Sequence, residues 1–522
     1  MFAGYALNDI VGTNAFRPDR RNRVALSYEG AARSFAALDI RARKLANALA
    51  GLGVTAGDTV AVLMGNRHEW PEALFAITSL SAVCAPINVL LNGQDVAQVL
   101  ADSGAKALIA DSAARRALEA ISDLPPILVM VDEFEAPAGG EWRAYEAIVE
   151  RASDNPTASR PAPGAPSMMY YTSGTTGAPK GATHSQAGIL WNSYHQIADV
   201  GLSENDVYLL VPSLSWAAGF HDVMLALMWL GGRVAMLPTG GLTIDRILSA
   251  VEAEGVTHTL LVPTLLKQLD NTPGGYERIR NSRLRRIFTG AEPAPPSLIQ
   301  RINSELPNCR VIQLYGMSEF PLMMTAMSSE DALRLPDRAG RPTSIVTLGV
   351  RDAAGSISAR GAGEVVIRSP ATMLGYHNRP EATAEALRDG WFHTGDMGEI
   401  DDEGYLRLTG RAKDMIISGG MNVYAREIED LILSIANVRD VAVVGVPDDK
   451  WGETPVAIIV AADSAGLRGE VEAQCARLSS YKRPSAVLIR EEPLPRTPTG
   501  KVLKRELRPW AGSKLNKSGA TQ

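Results

Sequence analysis

A run of small and hydroxyl residues ending in a lysine is the part of this sequence where chemistry is most clearly expected. It reads Tyr-Tyr-Thr-Ser-Gly-Thr-Thr-Gly-Ala-Pro-Lys-Gly and extends from Tyr170 to Gly181. Glycines let the backbone approach an anion, the hydroxyls add neutral donors, and Lys180 adds a positive charge. The loop therefore predicts a polyphosphate site, although its spacing is not that of a Walker A loop.

Flexible linkers often have the same composition, and this alternative competes with the binding loop. Two features favour the binding loop. Met168-Met-Tyr-Tyr171 before it has the character of a buried strand end, and apolar residues at helical spacing follow it, namely Ala187, Ile189, Leu190 and Trp191. A loop between two ordered elements is well placed to hold a ligand.

Four later stretches carry side chains that suit a nucleotide. Tyr315-Gly-Met-Ser-Glu319 follows a predicted strand, so its ring could stack on a base and its carboxylate could hold Mg²⁺. Asp396 follows a glycine turn and suits the two hydroxyls of a ribose, and Arg411 offers a planar fork for oxygens. Lys501 follows a rigid Pro-Thr-Gly turn. Taken alone, each is equally well or better explained as a surface residue or an ordinary turn.

In this order and at this approximate spacing, the five stretches resemble the adenylate-forming superfamily, which contains acyl-CoA synthetases, nonribosomal peptide adenylation domains and luciferases. The resemblance implies a role for each matching residue. The ATP phosphates would be held by Thr172, Ser173, Gly174, Thr175, Thr176, Gly177 and Lys180. The adenine would be contacted by Gly290, Ala291, Glu292 and Tyr315, and Gly316 would also belong to the nucleotide site. Phosphate and Mg²⁺ would be faced by Ser318 and Glu319, and the ribose would be bound by Asp396 and Arg411.

The resemblance also implies a reaction in two halves. Lys501 would bridge the substrate carboxylate and the α-phosphate, so the catalytic set would be Lys501, Glu319, Thr172 and Lys180. The small domain would then turn about Lys413 to admit CoA. Gly419 and Gly420 would line the pantetheine tunnel, and the CoA nucleotide would be contacted by Trp451, Tyr481 and Arg483. The expected cofactors are ATP and Mg²⁺, with CoA as co-substrate.

The acid pocket is expected on the segment Pro212-Ser-Leu-Ser-Trp-Ala-Ala-Gly-Phe220, where the superfamily usually carries a histidine at the position of Trp216. The residues assigned to the pocket are Trp216, Ala217, Gly219, Phe220 and Met317. An ordinary core tryptophan is an equal alternative for Trp216. An apolar wall here favours a fatty, alicyclic or aromatic acid. Within this stretch no aspartate occurs before Asp222, so the group that would anchor the ammonium of an amino acid is missing.

Composition limits the other functions. The chain has 522 residues, 46% hydrophobic and 21% charged, and its net charge of −6 leaves no basic excess for nucleic acid. Three separated cysteines fit a reducing compartment, and the seven histidines show no paired metal-ligand spacing. No apolar run reaches the roughly 18 residues of a membrane span. The N-terminus does not have the pattern of a signal peptide. We therefore expect a cytoplasmic enzyme with small-molecule partners, as a monomer or a homodimer.

The chain predicts an α/β fold. Helix-like segments such as Ala36 to Leu52 and Trp70 to Val83 alternate with apolar runs such as Thr59 to Met64, which favours a parallel sheet with helices on its faces. Glu135 to Pro166 is expected to be a surface excursion. The predicted units are an N-terminal domain over 1–410 with a β-rich subdomain over about 340–410, a hinge at 411–414, and a small mobile α+β domain over 415–522.

These observations favour an AMP-forming acyl-CoA synthetase. Two alternatives stay open. An acyl-AMP ligase that loads a carrier protein would share the first half-reaction, and a nucleotide-binding relative without catalysis would be expected to lack Lys501 or Glu319, both of which are present. Oxygenation of the luciferase kind is compatible with the motifs but rare in the superfamily.

Overall fold

The computed structural model describes most of the chain. The described residues are 4–132, 140–157, 160–172, 179–220, 223–291, 294–328, 330–435, 437–448, 450–461, 463, 466–496 and 502–519.

One sheet carries the two strands that enclose the phosphate loop. Its central strands are parallel, and the strands before and after the loop form an antiparallel hairpin in which Thr172 lies opposite Lys180. In spatial order its strands are Gly375–Tyr376, Lys180–Ser185, Pro166–Thr172, Val83–Pro86, Thr59–Leu63, Ala107–Ala110, Ile127–Met130 and Trp142–Ala144.

A second sheet carries the Tyr315 to Glu319 segment at the end of one of its strands. Its middle is parallel, and its two edges are antiparallel. In order its strands are Arg341–Pro342, Phe320–Ala326, Arg310–Met317, Arg286–Thr289, His258–Leu260, Val207–Leu210, Arg233–Met236, Val24–Tyr28 and Ala31–Ser34.

A third, antiparallel sheet carries Asp396 and Arg411. In order its strands are Ile357–Ser358, Thr347–Arg351, Gly361–Arg368, Trp391–Ile400 and Leu387–Arg388, with Leu406–Arg411 also paired to Trp391–Ile400. Its apolar side packs with Tyr315 and Phe320 of the second sheet in one buried cluster. This packing brings the carboxylate of Asp396 to the edge at which Tyr315 lies.

The last sheet forms the core of the C-terminal region. Its strands are Met421–Tyr424, Met415–Ser418, Gly452–Ala461 and Val438–Asp448, with Ala486–Ile489 parallel to Gly452–Ala461. The helices Ala425–Leu433 and Leu467–Cys475 pack on one face, and Lys504–Gly519 packs on the other. This is an α+β arrangement.

The remaining helices cover the first two sheets and the third. They are Asp9–Phe16, Phe35–Gly51, Glu69–Ser79, Gly93–Ser103, Arg115–Leu118, Tyr145–Arg151, Gln186–Val200, Ala217–Phe220, Met224–Leu230, Ile244–Glu254, Pro263–Asp270, Gly275–Arg280, Pro296–Glu305, Asp331–Arg334 and Pro380–Ala386. Short 3₁₀ turns occupy Ser112–Ala114, Ala412–Asp414 and Ser480–Lys482. Local sequence explains several helix starts. The side chains of Ser34, Asn92 and Ser185 each accept a backbone N–H of the first turn.

The predicted α/β class with an α+β C-terminal unit is confirmed. The domain boundaries stay predictions. At the proposed hinge, the strand Leu406–Arg411 continues through the turn Ala412–Asp414 into the strand Met415–Ser418.

Two local expectations are wrong. The predicted excursion over Glu135 to Pro166 contains the edge strand Trp142–Ala144 and a helix whose first residue, Tyr145, is fully buried. The hydroxyl of Tyr145 donates to the buried carboxylate of Glu72 at 2.9 Å. The predicted helix over Trp70 to Val83 ends at Ser79, because Ser81 takes a left-handed conformation with φ of 58° and the chain turns into the next strand.

The three cysteines, Cys84, Cys309 and Cys475, are all reduced and buried. Burial raises the pKa of each thiol, to about 12 for Cys309. Within the part of the chain that the structure describes, no helix is long and apolar enough to cross a membrane.

Candidate active site

A buried carboxylate joins the second and third sheets. Tyr315 donates its hydroxyl to Oδ2 of Asp396 at 2.7 Å, and Nε of Arg411 contacts Oδ1 of the same carboxylate at 2.9 Å. Asp396 and Arg411 are register partners on adjacent antiparallel strands, which fixes their approach. Burial, followed by the charge of Asp396, raises the pKa of Tyr315 well above 10, so the phenol stays protonated and donates.

Asp396 is also held from behind. The backbone N–H of Asp396 donates to Oγ1 of Thr394 at 3.0 Å, and this hydroxyl donates to the carbonyl of Val365. The N–H of Gly395 donates to Glu364, which also contacts Nδ1 of His393 at 2.9 Å. The carboxylate therefore sits on an ordered turn, with its oxygens already facing donors.

A second carboxylate, that of Glu319, lies near the phosphate loop. The hydroxyl of Tyr376 donates to its Oε1 at 2.9 Å, and the ring of Tyr376 lies under the ammonium of Lys180, 5.2 Å from the centroid. The charge of Asp396, and to a smaller degree that of Glu319, raises the pKa of Arg411.

His184 fixes the turn that presents Ser318 and Glu319. Its Nε2 lies 2.8 Å from the carbonyl of Ser318, and because a carbonyl only accepts, this nitrogen carries the proton. The ring is fully buried, and burial lowers its pKa to about 4. A neutral histidine therefore ties the hairpin of the phosphate loop to the segment that carries Glu319.

The neutral state of His184 predicts acid sensitivity. The unfolded chain binds the proton with an ordinary pKa near 6.5, whereas the folded chain binds it only near 4. The contribution of His184 to the free energy of unfolding is fully present above pH 6.5. As the pH falls towards 4, this contribution decreases by about 3 kcal/mol in total. We expect denaturant unfolding to show this decline and His184→Gln to flatten it. His377→Gln serves as the matched control and is expected to leave the decline unchanged. An equal slope in all three proteins would contradict the assignment.

Part of the predicted phosphate loop can be placed. Thr172 and Lys180 are opposite each other, and the hydroxyl of Thr172 donates to the carbonyl of Lys180 at 3.4 Å. The remaining loop residues assigned to phosphate lie outside the described residues, namely Ser173, Gly174, Thr175, Thr176 and Gly177. Glu292 and Lys501 lie outside them as well.

The predicted adenine segment follows the strand Arg286–Thr289. A side chain at Gly290 would place its first carbon 2.8 Å from the carbonyl of Leu314, so only glycine allows the two strand ends to approach this closely. Ala291 takes a left-handed φ of 68°, an uncommon conformation for a residue other than glycine. Gly316 lies at the bulge between Tyr315 and Met317. The structure thus places Gly290, Tyr315 and Gly316 at neighbouring strand ends.

The donors present fit Mg²⁺ carried by a nucleotide. No group of three or more histidine, cysteine or carboxylate side chains able to hold a metal occurs among the described residues. Mg²⁺ is commonly held by one or two carboxylates together with substrate phosphates rather than by a protein cage. The half-buried carboxylate of Glu319, whose partner Tyr376 also contacts Lys180, suits that arrangement.

Hydrogen bonds from Asn66 fix the start of the predicted acid-pocket segment. The side-chain amide of Asn66 donates to the carbonyls of Pro212 and Leu237 at 2.9 Å, and its oxygen accepts the N–H of Leu214 at 2.8 Å. The helix Ala217–Phe220 then packs against the strand Phe320–Ala326 that follows Glu319. A side chain at Gly219 would overlap the carbonyl of Ser213.

Trp216 and Met317 are both half-buried. Nε1 of Trp216 is buried and has no hydrogen-bond partner within the described residues. Met317 packs at the edge of the cluster that contains Phe320 and Tyr315. Ala217 is buried at the start of the helix. The segment therefore places apolar side chains near the strand that follows Glu319.

The residues assigned to CoA lie on the C-terminal sheet. Trp451 is 47% exposed and covers Gly419, and a side chain at Gly419 would place its first carbon 2.7 Å from the indole ring. Gly420, beside it, has open space around it. Tyr481 is half-buried, and Arg483 donates to the carbonyls of Leu478 and Ala476. Lys413 is exposed in the turn at the proposed hinge, and its carbonyl accepts from Arg508 at 3.5 Å.

Sequence reasoning missed Tyr376, which contacts both Glu319 and Lys180, and the positioning role of His184. Tyr376 lies far along the chain from both groups, and no spacing within its own segment reveals its contacts. His184 shows no paired metal-ligand spacing, and nothing in the sequence around it indicates its contact with Ser318.

An α/β fold in which Tyr315, Asp396 and Arg411 meet at one sheet edge, with Glu319 on the adjoining segment, is the arrangement expected of a nucleotide-binding enzyme. Comparison with known proteins agrees. The model described as "AMP-binding enzyme" matches residues 15–377, and the one described as "AMP-binding enzyme C-terminal domain" matches residues 427–501. The chain belongs to this family, the adenylate-forming superfamily, and the resemblance drawn from the five stretches is confirmed.

Individual relatives match along nearly their whole length. A long-chain-fatty-acid–CoA ligase, FadD13 of Mycobacterium tuberculosis, is 36% identical over 91% of this chain and 92% of its own. An indoleacetate–CoA ligase of Aromatoleum aromaticum is also 36% identical over 91% and 92%. Among solved structures, the o-succinylbenzoate coenzyme A synthetase of Bacillus subtilis with ATP and a magnesium ion matches with a TM-score of 0.81 and 26% identity, covering 96% of this chain and 99% of that one.

Proposed function

We propose that this protein is an AMP-forming acyl-CoA synthetase for a hydrophobic carboxylic acid, whether fatty, alicyclic or aromatic. The observation that carries the choice of acid is the apolar segment around Trp216 and Ala217, which packs directly on the strand after Glu319. The names of the relatives, a fatty-acid ligase and an indoleacetate ligase, support an acid with an apolar body.

The chain is an AMP-forming acid–CoA ligase. A carboxylic acid and ATP give acyl-AMP and pyrophosphate, and CoA then gives acyl-CoA and AMP. In the first step a carboxylate oxygen attacks the α-phosphorus, and the bond to pyrophosphate breaks. In the second step the CoA thiol loses its proton, its sulfur bonds to the acyl carbon, and AMP leaves with the electron pair of the broken bond.

Each residue of the site has a separate task in the formation of acyl-AMP. Asp396 and Arg411 hold the ribose, which fixes the α-phosphorus relative to the acid. Thr172 and Lys180 would hold the phosphates. Glu319 would hold Mg²⁺, which would supply positive charge that lowers the repulsion between the two anions. Lys501 bridges the carboxylate and the α-phosphate. Two anions must approach each other in this step, so a cation between them lowers the barrier most.

The second step needs access for a thiol. Lys501 has to withdraw, and the C-terminal unit turns about Lys413, so that Gly419 and Gly420 come to line the path of the pantetheine arm. Absence of side chains at the two glycines leaves room for that arm. Trp451, Tyr481 and Arg483, which lie on the same unit, take the nucleotide of CoA. This rotation is a conformational step between the two half-reactions.

Release of pyrophosphate from MgATP, followed with a panel of fatty, alicyclic, aromatic and amino acids with and without CoA, tests the proposal. We expect release with an apolar acid and a CoA-dependent thioester. A thioester formed only on a phosphopantetheine carrier protein would identify an acyl-AMP ligase instead. Binding of ATP without release for any acid would contradict the proposed activity.

Gly419→Ala is expected to weaken the thioester step selectively. The left-handed backbone costs about 1–2 kcal/mol for a residue other than glycine, and the new methyl group also displaces the ring of Trp451. Gly420→Ala is the matched control, because it carries the same backbone cost in open space. We expect the KM for CoA to rise about tenfold more in Gly419→Ala than in Gly420→Ala, while acyl-AMP formation is unchanged in both. Equal KM values for CoA in the two variants would show that the contact between Gly419 and Trp451 has no role in CoA binding.

We also propose a cytoplasmic location, in agreement with three reduced cysteines and with substrates that include ATP and CoA. Assembly as a homodimer is a further proposal. Light scattering after size-exclusion chromatography, compared with 55.8 kDa for one chain, distinguishes a dimer from a monomer.

A further inference from the structure

A short segment of the chain, residues 373–379, contacts both the strand that begins with Lys180 and the segment that ends in Glu319. We call it the strap. Gly375 and Tyr376 pair antiparallel with Thr183 and Ala182, and the N–H of His377 donates to the carbonyl of Gly181 at 2.8 Å. At its other end the N–H of Met373 donates to the carbonyl of Glu319 at 3.0 Å. The strap therefore joins the hairpin of the phosphate loop to the segment that ends in Glu319.

Hydrogen bonds and close packing fix the strap on both sides of Tyr376. The N–H of Tyr376 donates to Oγ1 of Thr383 at 2.9 Å. Gly375 has a φ of 151°, and a side chain added to it would place its first carbon 2.6 Å from Thr383. Arg379 contacts Asp102 at 2.5 Å, and Asp102 also accepts the hydroxyl of Tyr171 at 2.9 Å. The backbone of Tyr376 thus has little freedom.

The side chain of Tyr376 contacts two charged groups of the site, Glu319 and Lys180, at once. Its hydroxyl donates to Oε1 of Glu319 at 2.9 Å, and the face of its ring lies 5.2 Å from the ammonium of Lys180. A phenol suits this position because it is uncharged, donates one proton and offers a negative ring face to a cation. Glu319 and Lys180 are held by one neutral side chain, and neither charge is cancelled by it.

We propose that Tyr376 is a positioning residue for the magnesium nucleotide. The proposal rests on the proposed function. By donating to one oxygen of Glu319, Tyr376 orients the carboxylate so that the other oxygen is available to the cation, and its ring sets the place of Lys180 beside the phosphates. Residues that orient a metal-binding side chain typically change metal affinity or activity by about 10- to 100-fold when replaced.

Calorimetric titration with ATP, in Mg²⁺ and in EDTA, tests this for Tyr376→Phe. The variant keeps the ring but loses the bond to Glu319. We expect the Kd for ATP in Mg²⁺ to rise about 10- to 100-fold and the Kd in EDTA to stay close to that of the wild type. In turnover, the KM for MgATP should rise and the KM for the acid should not.

A second variant separates the role of the ring. Tyr376→Leu removes the contact with Lys180 as well, so the Kd in EDTA should also rise. Tyr276→Phe is the matched control, because Tyr276 donates to the carboxylate of Asp270 on another part of the enzyme. It is expected to change the melting temperature only.

The outcomes are distinct. Equal loss of affinity by Tyr376→Phe with and without Mg²⁺, or no loss at all in a folded variant, would overturn the positioning role. Failure of the wild type to bind ATP in either condition would instead contradict the proposed function. A lower melting temperature for Tyr376→Phe than for Tyr276→Phe, without a Mg²⁺-dependent difference in Kd, would make Tyr376 a structural residue only and would equally overturn the proposal.

Discussion

Asp396→Ala should raise the Kd for ATP about 100-fold or more and lower the stability of the free enzyme at the same time. The carboxylate accepts from Tyr315 at 2.7 Å and pairs with Arg411 at 2.9 Å, and its side chain is only 10% exposed. Removal of one partner from such a buried group costs about 2–5 kcal/mol, because the other partners lose their acceptor. Calorimetry with ATP and denaturant unfolding measure the two effects.

Asp402→Ala provides the control for this variant. Asp402 lies in the turn after the same strand, is 89% exposed and pairs with the exposed Arg360 at 3.3 Å. Surface pairs of this kind contribute at most about 1 kcal/mol. We expect wild-type ATP affinity in Asp402→Ala. An Asp396→Ala enzyme that binds ATP normally would show that the buried carboxylate has a structural role alone.

Lys501→Ala is expected to slow acyl-AMP formation by about 100- to 1000-fold, the usual effect of removing one group that stabilises developing charge. Formation of acyl-CoA from acyl-AMP supplied to the enzyme should stay close to the wild-type rate, because Lys501 is absent from the second half-reaction in the proposed mechanism. The two half-reactions can be measured separately, by pyrophosphate release and by thioester formation.

The neighbouring Lys504 is the matched control for Lys501. Its ammonium contacts Glu429 at 2.7 Å within the C-terminal unit, so Lys504→Ala loses an ion pair of that unit. Both half-reactions should proceed normally in Lys504→Ala. Equal slowing of the two half-reactions in Lys501→Ala would indicate damage to the whole C-terminal unit rather than loss of one cation.

Local patterns in the sequence were sufficient to predict much of the fold. The run Thr59 to Met64 is apolar at every position after Thr59, and the strand Thr59–Leu63 is buried on both faces. The predicted helix from Ala36 to Leu52 is found as Phe35–Gly51, with Ser34 as its cap. Tyr145 was missed because its burial depends on a contact with Glu72, which lies far along the chain. No local periodicity reports such a pairing.

The same limit applies to the candidate site. Tyr315, Glu319, Asp396 and Arg411 were found because each belongs to a motif of the superfamily, and the structure brings Tyr315, Asp396 and Arg411 into direct contact. Tyr376 was missed because its importance comes from two neighbours on other strands, Glu319 and Lys180. Positioning residues act through long-range contacts, so the sequence near them carries little signal.

The burial of Cys84, Cys309 and Cys475 has a practical consequence for testing the proposed rotation of the C-terminal unit. A thiol reacts with maleimide dyes as the thiolate, and burial both blocks access to these sulfurs and disfavours that form. Cysteines introduced at exposed positions, such as Asp402 and Glu470 on the two units, would therefore take up donor and acceptor dyes over the native background. Energy transfer between the dyes would then report each half-reaction in single enzyme molecules.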